Sequence, residues 1–179
     1  MVVLQMSGFP GSGKSTISKE IARKINAIVI DKDILKSTML ENGISDEVAS
    51  KLSYDMLFDL SKFYLDQEKS VILDSPCYYD EIIETGTDIA NNYNAKYKFL
   101  ECSVDSFEII EKRVELRKNM TSQIGKPSLK GFENAKSRAK RPTNGYMKID
   151  TSNLDAIDFD SILEYLEETE TTSSEFLLG

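Results

Sequence analysis

The chain contains no histidine and no tryptophan, and only two cysteines and four prolines in 179 residues. Without histidine, neither a His-based zinc site nor a Ser-His-Asp triad is available. Cys77 and Cys102 stand far apart with no metal-ligand spacing, so their expected role is buried packing in a reducing, cytoplasmic setting. No apolar run approaches the roughly 20 residues that span a bilayer. The N-terminus has no basic region ahead of its first apolar stretch, so no signal peptide is expected. Positive charge is also scarce: 22 Lys and Arg face 30 Asp and Glu, for a net charge of −8. That balance argues against a general binder of long nucleic acid. What remains is an ordinary globular composition, 40% hydrophobic and 29% charged, of a length suited to one domain with a real core.

The charge is unevenly spread. Lys112 to Lys148 carries eleven Lys and Arg against two Glu, or +9, which leaves −17 for the rest. A basic segment on an acidic body suggests a local site for phosphate charge, or else a solvated basic surface.

The most specific stretch is Gly8-Phe9-Pro10-Gly11-Ser12-Gly13-Lys14-Ser15-Thr16, which matches G-x-x-x-x-G-K-[ST] without a gap. An apolar run, Val2 to Met6, leads in as a strand. Ile17, Ile21, Ala22 and Ile25 lead out with helical spacing. Glycines there let successive N–H groups turn inward as an anion nest at a helix N-terminus. In that pattern Lys14 reaches the β- and γ-phosphates of a nucleoside triphosphate, and the Ser15 hydroxyl sits on Mg²⁺.

Further along, strands and helices alternate. Strands are expected at Ala27–Asp31, Ser70–Asp74, Tyr97–Cys102 and Tyr146–Asp150. Helices are expected from about Asp33, over 46–67 capped by Asp46, over 79–92, from an Asp105 cap with Glu108 as its capping box to near Arg117, and around Phe159–Leu166. Val48, Leu52, Met56, Leu60 and Phe63 read as a core-facing stripe of the 46–67 helix. Residues 119–141 are polar, basic and hold Gly125-Lys126-Pro127, which reads as a mobile lid, partly helical over 131–140. The whole predicts one α/β domain over residues 1–168, a three-layer, doubly wound, five-stranded, mostly parallel sheet with a basic lid, followed by a frayed tail at 169–179.

Three acids fall at strand ends, where ligands bind in open α/β sheets. Asp31 and Asp33 follow the second strand. Either carboxylate can accept a proton from a substrate hydroxyl attacking the γ-phosphorus, and the alternative for Asp33 is capping the helix that starts there. Asp74 ends the third strand, either organising Mg²⁺ through water or simply ending the strand. Arg113 and Arg117 lie four apart on one helical face, placed to spread over a transferring phosphoryl group or to complement a helix C-terminus.

Taken with Ile30-Asp31-Lys32-Asp33-Ile34-Leu35-Lys36, Val71 to Asp74 and Arg113-Val114-Glu115-Leu116-Arg117, the phosphate loop resembles the small P-loop kinases. That group includes gluconate kinase-like enzymes, chloramphenicol phosphotransferase, the polynucleotide 5′-kinase domain and zeta toxin kinases. The resemblance covers residues 1–168 and implies a nucleoside-kinase-like P-loop fold and an ATP- and Mg²⁺-dependent transfer to a hydroxyl of a small-molecule acceptor. It implies Asp33 as the general base, with Asp31 and Lys36 beside the substrate. Lys36 stands where many members have an Arg, and so lacks a planar fork for a substrate phosphate. Arg113 and Arg117 match lid arginines that grip ATP phosphates, and Arg141 lies near adenine. The rival acceptor is a nucleotide or polynucleotide 5′-hydroxyl, and the rival class is an ATP-binding module without an acceptor. A guanine-specific N-K-x-D and a D-x-x-G after the third strand are both missing, which argues against a GTPase switch.

Overall fold

The computed structural model describes residues 1–117, 120–123, 125–143 and 145–168; the expected tail at 169–179 lies outside the described residues. Five strands form one sheet in the order β2-β3-β1-β4-β5, with every pairing parallel. They are β1 (Val2–Ser7), β2 (Ile28–Asp31), β3 (Val71–Asp74), β4 (Lys96–Ser103) and β5 (Tyr146–Asp150). Parallel neighbours need long crossovers, and helices supply them: α1 (Lys14–Ile25), α2 (Lys32–Glu41), α3 (Asp46–Leu65), α4 (Asp80–Asn92), α5 (Phe107–Leu116), α6 (Leu129–Arg138) and α7 (Phe159–Glu167).

The sheet is covered on both faces, so its central strands read as unbroken apolar runs. Leu4, Met6, Ile72, Leu100 and Cys102 pack with Ile17 and Ile21 of α1 and with Ile162 and Leu166 of α7. On the other face Val3, Val71, Leu73 and Phe99 pack with Leu57, Phe58 and Leu65 of α3 and with Ile82, Ile89 and Ala90 of α4. A third cluster lies above the sheet's C-terminal edge, where Phe132 of α6 meets Val104, Ile110 and Val114. Its ring is 5.2 Å from that of Phe9, so α6 rests on the phosphate loop itself. Both cysteines are free and buried, as packing residues should be, and burial pushes each thiol up to about 12.

Several local expectations are corrected. The α3 stripe points outward: Val48, Leu52, Met56 and Phe63 are 48, 40, 43 and 57% exposed, and only Leu60 is partly buried. The face turned inward is Ala49, Ser53, Leu57, Phe58, Ser61 and Leu65. Small residues let the helix approach closely. The Ser53 and Ser61 hydroxyls remain satisfied by donating to the carbonyls of Ser50 and Leu57, at 2.9 and 2.7 Å. Ser45, one residue before Asp46, occupies the N-cap of α3. Ser106, not Asp105, caps α5 by accepting from the Ile109 N–H. Asp105 instead pairs with Lys136 at 2.9 Å. Helix α6 starts at Leu129, two residues before the expected helical part of the lid, because the Ser128 side chain caps it. Among the described residues, no helix is long and apolar enough to cross a membrane.

Candidate nucleotide and acceptor site

Strand β1 lies between β3 and β4, so the chain leaves it towards β2 and later returns to build β4 on its other side. The crevice over the C-terminal ends of the strands at such a switch is where ligands bind in this architecture. The phosphate loop occupies it. Two glycines make the loop's path possible. Gly8 has φ +139°, and a Cβ there would sit 2.4 Å from the Cys102 carbonyl. Gly13, in left-handed conformation at φ +88°, begins α1, and a Cβ there would meet Leu154 at 2.9 Å. No side chain caps α1 and its first turn holds no acid. The positive end of that helix is therefore left to an external anion, which fits a triphosphate.

A cleft of about 540 Å³ opens beside the loop, lined by Pro10, Gly11, Gly13, Lys14, Ser15, Thr16 and Lys19 on the loop side. Asp31, Lys32 and Asp33 close one wall, with Pro76, Tyr78, Arg113, Arg117, Met120, Ser122, Gln123 and Leu154 around the rest. The structure thus brings together most of the predicted site: the loop, both β2 acids and both arginines. Gly8 and Ser12 shape the loop from behind, lining a separate small cavity of about 60 Å³. Arg141 lines that cavity too, and its guanidinium is held by both carboxylate oxygens of Glu101, one at 2.8 Å. Arg141, expected near adenine, lines that small cavity and not the cleft beside the loop. Lys36 is likewise turned away, paired with Asp46 at 2.8 Å.

The β2 acids divide their roles. The Asp31 side chain caps α2 by accepting from the Asp33 N–H at 2.8 Å. Asp33, in the first helical turn, is therefore not the cap. One of its carboxylate oxygens lies 3.5 Å from Lys32 Nζ and the other accepts from Gln123 Nε2 at 3.2 Å. Lys32 is buried although charged. Burial pulls its pKa down, the neighbouring Asp33 carboxylate opposes that, and the ammonium also lies 5.3 Å from the Tyr54 ring centre. Burial also pulls Arg117 down, again against the charge of Asp33.

Asp74 pairs in register with Asp31 and lies buried beneath the cleft, accepting from the Ser18 hydroxyl at 3.2 Å. Burial, and next the Asp74 charge, push Asp31 up to about 6. Asp74, buried, and Asp31, half-buried in the cleft that Ser15 also lines, bring surplus negative charge together, so the residues present fit Mg²⁺. Ser15 would hold the ion, with Asp74 and Asp31 acting on its water ligands. Metal-free protein has a testable consequence. A carboxyl whose folded pKa is raised favours folding while protonated, and the benefit is lost as pH rises through the folded value. Asp31→Asn keeps an oxygen for the cap and removes the charge. The variant should match wild type near pH 4 and exceed its stability by up to about 3 kcal/mol at pH 8. Urea unfolding in chelator at both values measures this, and a constant difference across pH would rule it out.

Arg113 has a more structural place than expected. It donates to the carbonyls of Thr151 at 2.7 Å, Ser152 at 3.0 Å and Gly11 at 3.4 Å. The buried Thr151 hydroxyl lies 2.6 Å from the Ser12 carbonyl and 3.0 Å from that of Ser103. Together they fasten the end of β5 to the phosphate loop. Thr151→Val, which keeps the shape and deletes the hydroxyl, should cost about 1–2 kcal/mol in urea unfolding and weaken nucleotide binding in calorimetry. An unchanged midpoint would show the tie to be idle. Sequence reasoning missed Thr151, Leu154, Ser122 and Gln123, because they sit in irregular segments with no motif. Lys32 did carry a signal, since it lies between the two singled-out acids.

A glycine-turned loop at the switch point of a parallel sheet, with a lysine and a serine opening the next helix, defines a P-loop nucleotide-binding protein with the α/β fold of P-loop kinases. The chain belongs to the AAA domain family, whose model matches residues 3–142. Its fold is similar to that of a kinase-like protein from Chloroflexus aurantiacus, with a TM-score of 0.72, 21% identity, and coverage of 92% of this chain and 96% of the other. It is also similar to Kti12 from Chaetomium thermophilum in complex with ADP-AlF3, with a TM-score of 0.64, 18% identity, and coverage of 93% and 100%. The Mycobacterium tuberculosis APS kinase in complex with AMPPNP and APS gives 0.62, 17%, and coverage of 93% and 97%.

Proposed function

We propose that this chain transfers the γ-phosphate of ATP to a hydroxyl group of a small molecule. The observation that carries the reading is the division of labour between the β2 acids. Asp31 takes the cap, which leaves the Asp33 carboxylate facing the same cleft as Lys14 and Arg117. In this reading the loop amides and Lys14 hold the phosphates. Asp33 accepts the proton of the attacking hydroxyl, and Arg117 meets charge that builds on the transferring group. Ser15 would hold Mg²⁺, which would supply neutralising charge to the phosphates. Arg113 serves chiefly by holding Gly11 and the β5 end in place.

A long nucleic acid as acceptor is disfavoured by how the basic segment is used. Lys136, Lys140 and Arg141 are paired with Asp105, Asp80 and Glu101 of the acidic body. Arg138 lies over the Tyr78 ring. Part of that positive charge is thus paired with the body's own carboxylates. The fold likenesses include proteins named as a sugar kinase, a gluconokinase and an APS kinase, which supports a small acceptor and leaves its identity open to assay. The test is transfer of labelled γ-phosphate from ATP and Mg²⁺ to a panel of sugar acids, nucleosides, 5′-hydroxyl oligonucleotides and aminoglycosides. Transfer to a small acceptor, lost in Asp33→Asn, is the expected result. ATP binding with no transfer to any of them would favour a binding module.

A further inference from the structure

Residues 120–123 meet α2 along a single face. Asp33, Ser37 and Glu41 are spaced i, i+4, i+8 and so form one stripe of that helix. Each takes a partner from the opposing segment in reverse order. Gln123 Nε2 donates to Asp33 Oδ2 at 3.2 Å, Ser122 N–H donates to Ser37 Oγ at 3.0 Å, and the Thr121 hydroxyl donates to Glu41 Oε1 at 2.6 Å. The serines complete a relay: the buried Ser37 hydroxyl donates to Ser122 Oγ at 2.9 Å, and the Ser122 hydroxyl donates to the Asp33 carbonyl at 3.0 Å. The segment is also closed on itself, with Gln123 N–H donating to the Met120 carbonyl at 3.0 Å. Met120 N–H in turn donates to Gln123 Oε1 at 3.2 Å. That last bond settles which way the Gln123 amide faces. Its oxygen is taken, so its NH₂ end is presented to Asp33.

We propose that this segment is a strap fastened to α2, and that Gln123 on it is a positioning residue for Asp33. The inference rests on the reading of Asp33 as the base. Lys32 on one carboxylate oxygen and Gln123 on the other fix the plane of the group. Each oxygen keeps a further lone pair for an acceptor hydroxyl. Binding of the strap to Ser37 and Glu41 thereby sets the base, and the strap walls off the acceptor side of the cleft.

Two readouts test this on the full chain. The first needs no catalysis: hydrogen exchange of the Ser122 amide in wild type and Ser37→Ala. Exchange should quicken about tenfold or more in the variant, and equal rates would overturn the strap. The second is phosphate release from Mg·ATP with water as the acceptor probe, in wild type, Asp33→Asn, Gln123→Ala and Gln123→Glu. Gln123→Glu has the same shape but turns a donor into a like charge. Its kcat should fall about tenfold, more than that of Gln123→Ala, with KM for ATP unchanged. A Gln123→Glu rate equal to wild type, while Asp33→Asn is impaired, would reduce Gln123 to a wall and overturn the proposal. Faster turnover in Gln123→Ala would also overturn it, by showing a block where we place a support. If Asp33→Asn itself keeps the wild-type rate, the base assignment fails instead, and the exchange comparison alone decides the strap.

Discussion

Replacing Lys14 with alanine is expected to lower phosphoryl transfer by about a thousandfold and to leave the fold in place. The lysine opens α1 and lines the cleft beside Ser15 and Thr16. In the proposed reaction its ammonium would meet phosphate oxygens whose charge grows as the bond to the leaving group breaks, so its attraction would be larger in the transition state than in the ground state. Alanine is a good residue for the first turn of a helix, so α1 keeps its start. The glycines and the packing of Ile17 and Ile21 continue to shape the loop. Circular dichroism and urea unfolding should therefore match wild type while turnover collapses. Unchanged turnover would remove the cleft from the mechanism altogether.

Asp33→Asn is expected to cut transfer by about 10²- to 10⁴-fold while sparing ATP affinity. The size of the side chain is kept, while the proton acceptor and the negative charge facing the buried Lys32 are lost together. The helix start does not depend on it, because Asp31 carries the cap. The loss of one acid from the first turn costs about 0.3–1 kcal/mol through the helix dipole, and the loss of the charge opposite buried Lys32 adds to that cost. Single-turnover transfer alongside calorimetric ATP binding separates the two effects. A variant that bound ATP poorly yet turned over bound nucleotide at the normal rate would assign Asp33 to nucleotide binding, not to proton transfer.

The contrast between Asp33 and Asp31 shows how far the sequence could be read. The spacing Asp31-Lys32-Asp33 after an apolar strand placed two acids beside the phosphate loop, and both do line the cleft. Which one caps the helix was not legible, because a strand-to-helix junction admits a cap at either position. The answer came from where α2 begins, at Lys32. The α3 stripe failed for a related reason. Val48, Leu52, Met56 and Phe63 have the right period for a buried face, but period alone does not say which of two faces meets the sheet. Ala49, Ser53 and Ser61 pack closer, and the two serine hydroxyls find carbonyls within the helix.

Arg141 and Lys36 were placed at the site by resemblance, and each is held elsewhere by a carboxylate, Glu101 and Asp46, that lies far off in sequence or on the next helix. The strap was invisible for the same reason. Its residues show no periodicity, and their meaning lies in a match to the Asp33, Ser37 and Glu41 face of α2.

By itself, the sequence determined the phosphate loop, the alternation of strands and helices and hence the parallel sheet, and the pair of acids at the β2 end. These depend on local chemistry: glycine's freedom in the loop, apolar runs that must be covered on both faces, and side chains within a few residues of one another. Only the tertiary structure decided which acid is the cap, which face of α3 is buried, and which cations the body's carboxylates claim. The cap follows from where β2 gives way to α2, a boundary the packing of both elements sets, and the other two outcomes depend on partners that the fold brings together from separate elements, which no local pattern in the chain encodes.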